Sequence, residues 1–279
     1  MVNVSNRELG LVEGRIEVRQ VDSITLFIRP ELSLDPSQFI SLLTEDRPGE
    51  TYQPGKGRFV LKFLPAEVGP VVSKRFHDHR TYRRKQRWFM GYRWQKAHGI
   101  TQFVRALYTS SRGHRVVEPL LALRRNTGFL RQESLLVTRA VEGVSLRDLF
   151  LDPGHPWEEK LELFQRGIHA LKAMHEDGIS FGDAQTRHQI LDKEDRIWWL
   201  DFDKMAVDGA GRHRVDRDLR RFVSSTLMRM KQSGHDLDRS RQAVMEVLEE
   251  TYPLPSIWRG ILHLEVKKRV RRMLKKASR

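Results

Sequence analysis

The sequence predicts an α+β protein of two unequal lobes, a small strand-rich first half and a mainly helical second half. Three observations predict it. Short alternating apolar segments separated by Gly and Pro occupy the first half, Glu142-Gly143 interrupts the pattern, and from Pro156 apolar residues recur at helical spacing. The boundary is therefore expected at 141/142, with residues 1–50 an unassigned extension of the first lobe. The 279 residues suffice for this, since 39% hydrophobic content can supply an ordinary core.

In chain order, Ser23–Ile28 is a possible strand, followed by a Pro-spaced acidic stretch to Glu50. Pro54, Gly55 and Gly57 mark a turn, Arg58–Leu64 alternates as a strand, and Val71–Phe76 returns as its hairpin partner. Basic, helical-looking sequence follows. Val116–Leu123 and Ser134–Val141 predict two further strands, joined by a loop containing Asn126 and Gly128. Beyond Pro156, Glu158 and Glu159 fall where the helix dipole favours acids, Leu161, Phe164, Ile168 and Leu171 form the apolar face, and Gly178 stops the helix. A short hairpin, Gln189–Leu191 and Ile197–Leu200 about a turn at 192–195, precedes helices that fill the remainder.

Composition limits the chemistry. With no cysteine, disulfides, thiolate zinc sites and cysteine nucleophiles are excluded, and a metal must be held by carboxylates, imidazoles or phosphates. No run of about 18 apolar residues occurs and the first fifteen residues carry charges, so a cytoplasmic protein is expected. Fifty Lys and Arg against 36 Asp and Glu give a net charge of +14, which suits a polyanionic partner. Twelve of the basic residues lie between Lys74 and Arg115 beside a single acid, Asp78, and eight more lie in 267–279 with no acid. Such runs are equally the solvated faces of helices.

The segment FGDAQTRHQILDKEDRIWWLDFD, Phe181–Asp203, carries the chemistry. It sets Asp183 in a loop after a long helix, His188 five residues on, and Asp201 at the end of an apolar strand 18 residues beyond Asp183. Two carboxylates joined by a β-hairpin suit phosphoryl transfer: one takes the proton of an attacking hydroxyl, the other holds Mg²⁺ against the phosphates. His188 can complete the metal site, or only hydrogen-bond its loop; Asp203 can contact a second metal, or cap the next turn.

These motifs resemble the protein-kinase-like superfamily, whose catalytic loop ends in D-x-x-x-x-N and whose metal strand ends in D-F-G. Here they read Asp183-x-x-x-x-His188 and Asp201-Phe202-Asp203. Both departures are similar to the lipopolysaccharide kinases that phosphorylate Kdo or heptose of the inner core, a resemblance running from about Val71 to Thr226. It implies a bilobal protein-kinase-like fold that uses ATP and Mg²⁺, with Asp183 catalytic and Asp201, His188 and Asp203 at the metal.

It also implies a lysine for the α and β phosphates, for which Lys74 is the candidate and Lys62 the rival. Gly55 and Gly57 would form the phosphate-covering turn, and Glu142 the hinge beside the adenine. A glutamate ordinarily orients the lysine, yet none occurs between Glu67 and Glu118; Gln86, Gln95 and Gln102 are neutral substitutes. Asp218, in Arg217-Asp218-Leu219, would hydrogen-bond the catalytic loop.

The acceptor implied is an anionic glycolipid, so segments 74–115 and 267–279 are expected at an anionic membrane surface on its cytoplasmic face. Leu262, Val266, Val270, Met273 and Leu274 interleave with the terminal basic residues as in an interfacial helix. Few aromatics lie in that tail to stack on bases, so no nucleic-acid partner is expected. A kinase of proteins or other small hydroxyl acceptors, and a membrane-associated pseudokinase that binds without turnover, remain as alternatives.

Overall fold

In a computed structural model the described residues are 9–10, 12–32, 62–63, 70–77, 98–128, 131–207, 209–253 and 256–277. Gly55, Gly57, Asp78, Gln86 and Gln95 lie outside them. The chain divides into two compact units, one of residues 1–111 with 117–140, the other of 112–116 with 141–279.

The first unit is built on a six-stranded antiparallel sheet. Its strands are β1 (Glu17–Val21), β2 (Ile24–Ile28), β3 (Lys62–Phe63), β4 (Val71–His77), β5 (Pro119–Gly128) and β6 (Arg131–Arg139), in the order β1-β2-β5-β6-β4-β3. The predicted β3–β4 hairpin is present, with Phe63 opposite Val71. β1 has no apolar alternation because it is an exposed edge, blunted by the Glu17–Arg19 ion pair. It joins part of the unassigned extension to the sheet through β2, which is buried along most of its length. Asn126 and Gly128 do not form a separate loop; they are the last residues of β5, where the register shifts.

Helix α1 (His98–Ser111) packs on β5 and β6. Gly99 permits this approach, since a Cβ there would meet the Leu135 carbonyl oxygen at 2.8 Å, and its N–H donates to Ser134 Oγ at 3.1 Å. Beneath the sheet's residues lies a core of Leu26, Ile28, Val71, Leu121, Leu123, Leu135 and Val137.

The second unit holds a small sheet, β7 (Gly143–Ser145), β8 (Gln189–Asp192) and β9 (Ile197–Trp199), and five helices: α2 (Leu146–Leu151), α3 (Trp157–Glu176), α4 (Arg212–Gln232), α5 (Leu237–Thr251) and α6 (Ser256–Ala277). Gly143 opens β7, where a Cβ would meet the Leu191 carbonyl oxygen at 2.1 Å. Ser145 caps α2 by accepting from the Asp148 N–H, and Asp236 caps α5 by accepting from Arg239. α3 begins at Trp157 after Pro156, buries Phe164, Ile168 and Leu171, and turns at Gly178 with φ +74°.

The core of this unit is aromatic. Phe181 packs on Trp199 at 4.6 Å between ring centres and edges onto Phe202, while Trp199 meets Phe222 of α4, which stacks on Phe164 of α3. All five rings are buried, at about 1.5–3 kcal/mol or more each. This packing ties the segment before Asp183 and the strand before Asp201 to the same two helices.

Candidate active site

Phe181 and Phe202 anchor two backbone segments that pair with each other. Ser180 and Ala206 exchange N–H···O bonds of 2.9 and 2.8 Å, so the loop before Asp183 runs beside the turn after Asp201. Gly182 between them has φ +80°, and a Cβ there would stand 2.0 Å from the Lys204 carbonyl oxygen. Only glycine fits both demands. Its N–H donates to Asp218 Oδ1 at 2.7 Å, as expected of Asp218, whose other oxygen meets His175 Nε2 at 3.4 Å. Asp218 is fully buried, and α4 begins five residues before Arg217, so this carboxylate projects from its second turn rather than opening the helix.

His188 connects the two predicted carboxylate positions. It ends a single 3₁₀ turn, Thr186–His188, with Nδ1 2.8 Å from the Asp183 carbonyl oxygen and Nε2 3.7 Å from Asp201 Oδ2. A carbonyl only accepts, so Nδ1 carries the proton, and the unprotonated Nε2 accepts from Arg187 Nε at 3.0 Å on the side of Asp201. Burial, outweighing the opposing pull of Asp201, pushes the imidazolium pKa down and keeps the ring neutral. Asp201 has φ 71°, a conformation that costs a non-glycine residue about 1–3 kcal/mol and concentrates at functional sites.

The Asp201 carboxylate suits Mg²⁺, which takes one or two carboxylates and completes its octahedron with phosphates and water; His188 Nε2 would join it only on giving up the hydrogen bond from Arg187. Among the described residues no three His, Asp or Glu side chains gather into a metal-binding group.

Asp183 is nearly buried and bonded on both oxygens. Gln185 Nε2 donates to Oδ1 at 2.6 Å and Lys204 Nζ to Oδ2 at 3.1 Å, while Arg221 of α4 also bonds Oδ1. Burial disfavours its charge, but the hydrogen bonds from Gln185 and Lys204 and the charges of Arg221 and Lys204 outweigh this, holding its carboxyl below the ordinary range. Asp183 is therefore a carboxylate at neutral pH. Sequence reasoning missed Gln185, Lys204 and Arg221. Lys204 had a signal, since it follows Asp201-Phe202-Asp203 directly.

In the first unit, Lys74 of β4 donates to Gln102 Oε1 of α1 at 3.3 Å and lies 5.3 Å from the centre of the Phe76 ring. Gln102 thus stands where an orienting glutamate was sought. Lys62 belongs to β3, opposite Val72. In the second unit Glu142 bonds Lys193 at 2.8 Å on the surface.

A model of the lipopolysaccharide kinase (Kdo/WaaP) family matches residues 44–251. The chain is 27% identical over 181 residues to the 3-deoxy-D-manno-octulosonic acid kinase of Vibrio vulnificus (strain YJ016), covering 63% of this chain and 70% of that protein. To the enzyme of the same name from Vibrio vulnificus (strain CMCP6) it is 26% identical over the same length and coverage. To that of Vibrio cholerae serotype O1 it is 23% identical over 120 residues, 43% of this chain and 48% of that protein. The match takes in most of both units, and with the residues around Asp183, His188 and Asp201 on an α+β fold the chain belongs to the lipopolysaccharide kinase (Kdo/WaaP) family and is a protein-kinase-like phosphotransferase.

Proposed function

We propose that this enzyme transfers the γ-phosphoryl group of ATP to a hydroxyl of 3-deoxy-D-manno-octulosonic acid in the lipopolysaccharide inner core. The observation that supports the reading is His188, whose Nδ1 bonds the Asp183 backbone while its Nε2, which accepts from Arg187 Nε, stands 3.7 Å from Asp201 Oδ2. This histidine links the loop that carries Asp183 to the end of the strand before Asp201, where a base and a metal ligand would be needed. The names of the relatives support the sugar.

In the reaction the sugar hydroxyl oxygen forms a bond to the γ-phosphorus, the bond to the bridging oxygen breaks, and ADP departs. Asp183 orients the hydroxyl and receives its proton as the bond forms; a weakly basic carboxylate suits a loose transition state, in which the proton leaves late. Mg²⁺, when bound, neutralises charge on the phosphates. Asp201 and His188 would hold it, and Lys74, kept in place by Gln102, would hold the α and β phosphates, with Gly55 and Gly57 covering them and Glu142 beside the base. Phosphate incorporation into a lipid-linked Kdo acceptor, against the same acceptor already phosphorylated, tests the reading; no incorporation counts against it.

The acceptor is an anionic glycolipid, and α6 supports an approach to its membrane. Leu262, Val266 and Val270 pack inward and α6 lies against α4, so this stripe serves the core and not an interface. The opposite face carries exposed Ile261 and Leu264 with Lys268, Arg271, Arg272 and Lys275, within an arc of about 100°. Each cation near an anionic surface contributes about 1 kcal/mol. Among the described residues no helix is long and apolar enough to cross a membrane, and peripheral attachment at the cytoplasmic face is the arrangement proposed. Sedimentation with anionic but not neutral vesicles tests it.

A further inference from the structure

The Asp183 carboxylate is outnumbered by cations. Lys204 and Arg221 bond it, and Arg187 NH2 stands 3.9 Å from its Oδ2. Beyond Arg221 lies Arg269 of α6, whose Nε is buried without a hydrogen-bond partner among the described residues. Its guanidinium is pushed below the ordinary range by burial and then by the charge of Arg221, with Arg220 and Arg272 adding to the crowding. On another side Arg187 and Arg147 exert the same like-charge pressure on Arg229.

A structural ion pair would be complete with one cation. Here three reach one carboxylate from separate elements, the 3₁₀ turn, the turn after β9 and α4, and like charges so close oppose folding. Two of them face water, the side chains of Lys204 and Arg187 being 49% and 51% exposed. The surplus positive charge is therefore open to a ligand at the carboxylate itself.

We propose that Lys204, Arg187 and Arg221 form a subsite for a carboxylate carried by the acceptor sugar close to the hydroxyl that is phosphorylated. The proposal rests on the phosphotransferase reading above and deepens it. A hydroxyl that gives its proton to Asp183 lies about 3 Å from it, so a cation bonded to Asp183 is within about 6 Å of that hydroxyl. A carboxylate on a nearby ring carbon falls in that range. The arginine forks can meet it with paired N–H bonds, and Lys204 adds a point charge. Neutral sugars would leave the positive charge in excess of Asp183 uncompensated, which makes the subsite a selector for acidic sugars.

The test uses the purified full chain with ATP, Mg²⁺ and two acceptors, the methyl glycoside of 3-deoxy-D-manno-octulosonic acid and its methyl ester. The acid is expected to exceed the ester at least about tenfold in kcat/KM, mostly through KM, the size of one charge-assisted contact. In Lys204→Met and Arg187→Gln that ratio falls toward one while KM for ATP stays within about twofold. Equal use of acid and ester by the unmodified protein overturns the proposal. So does an unchanged ratio with a raised KM for ATP, which assigns the cations to the nucleotide. Calorimetric binding of the two glycosides separates this from the parent reading. Tighter binding of the acid without turnover keeps the subsite and counts against phosphotransfer; equal binding, or none, removes the subsite.

Discussion

Lys74 Nζ meets Gln102 Oε1 at 3.3 Å, so a neutral amide orients the lysine that a carboxylate would otherwise hold. The amide is buried and its Nε2 has no hydrogen-bond partner among the described residues, which makes it a costly residue to keep for packing alone. Removing it in Gln102→Ala is expected to lower kcat/KM for ATP about 10- to 100-fold, the size of one net hydrogen bond to a charged group. Gln102→Glu keeps the geometry and should remain within about threefold of the parent, measured as ATP turnover.

Asp218 joins α4 to the catalytic loop. Asp218→Ala leaves the buried Gly182 N–H without its acceptor, and His175 loses the carboxylate beside its Nε2. The expected loss is about 2–4 kcal/mol of unfolding free energy, read from the urea midpoint at unchanged slope. Activity should fall further than stability predicts, because the loop carrying Asp183 is released.

At Gly182 backbone and space act together. Gly182→Ala sets a Cβ against the Lys204 carbonyl at a position with positive φ, so the Ser180–Ala206 pairing must open. A destabilisation of about 1–3 kcal/mol is expected, with turnover reduced at least about 100-fold. Thermal unfolding and phosphate release assays measure the two effects separately.

Acid sensitivity follows from Asp183. Its carboxyl is held below the ordinary range in the folded protein, so its ionised form contributes stability that is complete above the unfolded value, about pH 4. That contribution is lost as pH falls through the lowered folded value. The stability difference between the parent and Asp183→Asn, from urea midpoints, should be flat from pH 8 to about 5 and shrink below about pH 4. A difference that grows on acidification would contradict the assigned ion pairs.

The parts of the site legible in the sequence were those within one segment. Asp183, His188 and Asp201 are spaced by a hairpin whose turn and apolar strands are local, so their meeting through His188 could be anticipated. Gln102 was one of three candidates, and only the packing of α1 through Gly99 selects it. Arg221 reaches Asp183 from 38 residues away on another element, and no local pattern announces such a contact. β1 escaped because an exposed edge strand needs no apolar alternation. In α6 the same stripe suits a membrane or a neighbouring helix; its burial against the rest of the unit decides between them.

The central claim is phosphoryl transfer at the Asp183–His188–Asp201 turn. It is tested most directly by following γ-³²P from ATP into a Kdo-bearing lipid acceptor with the parent protein, Asp183→Asn and Asp201→Asn. Transfer by the parent, reduced at least about 100-fold in each variant with native thermal unfolding, is the predicted result. Transfer that persists in either variant would contradict the account.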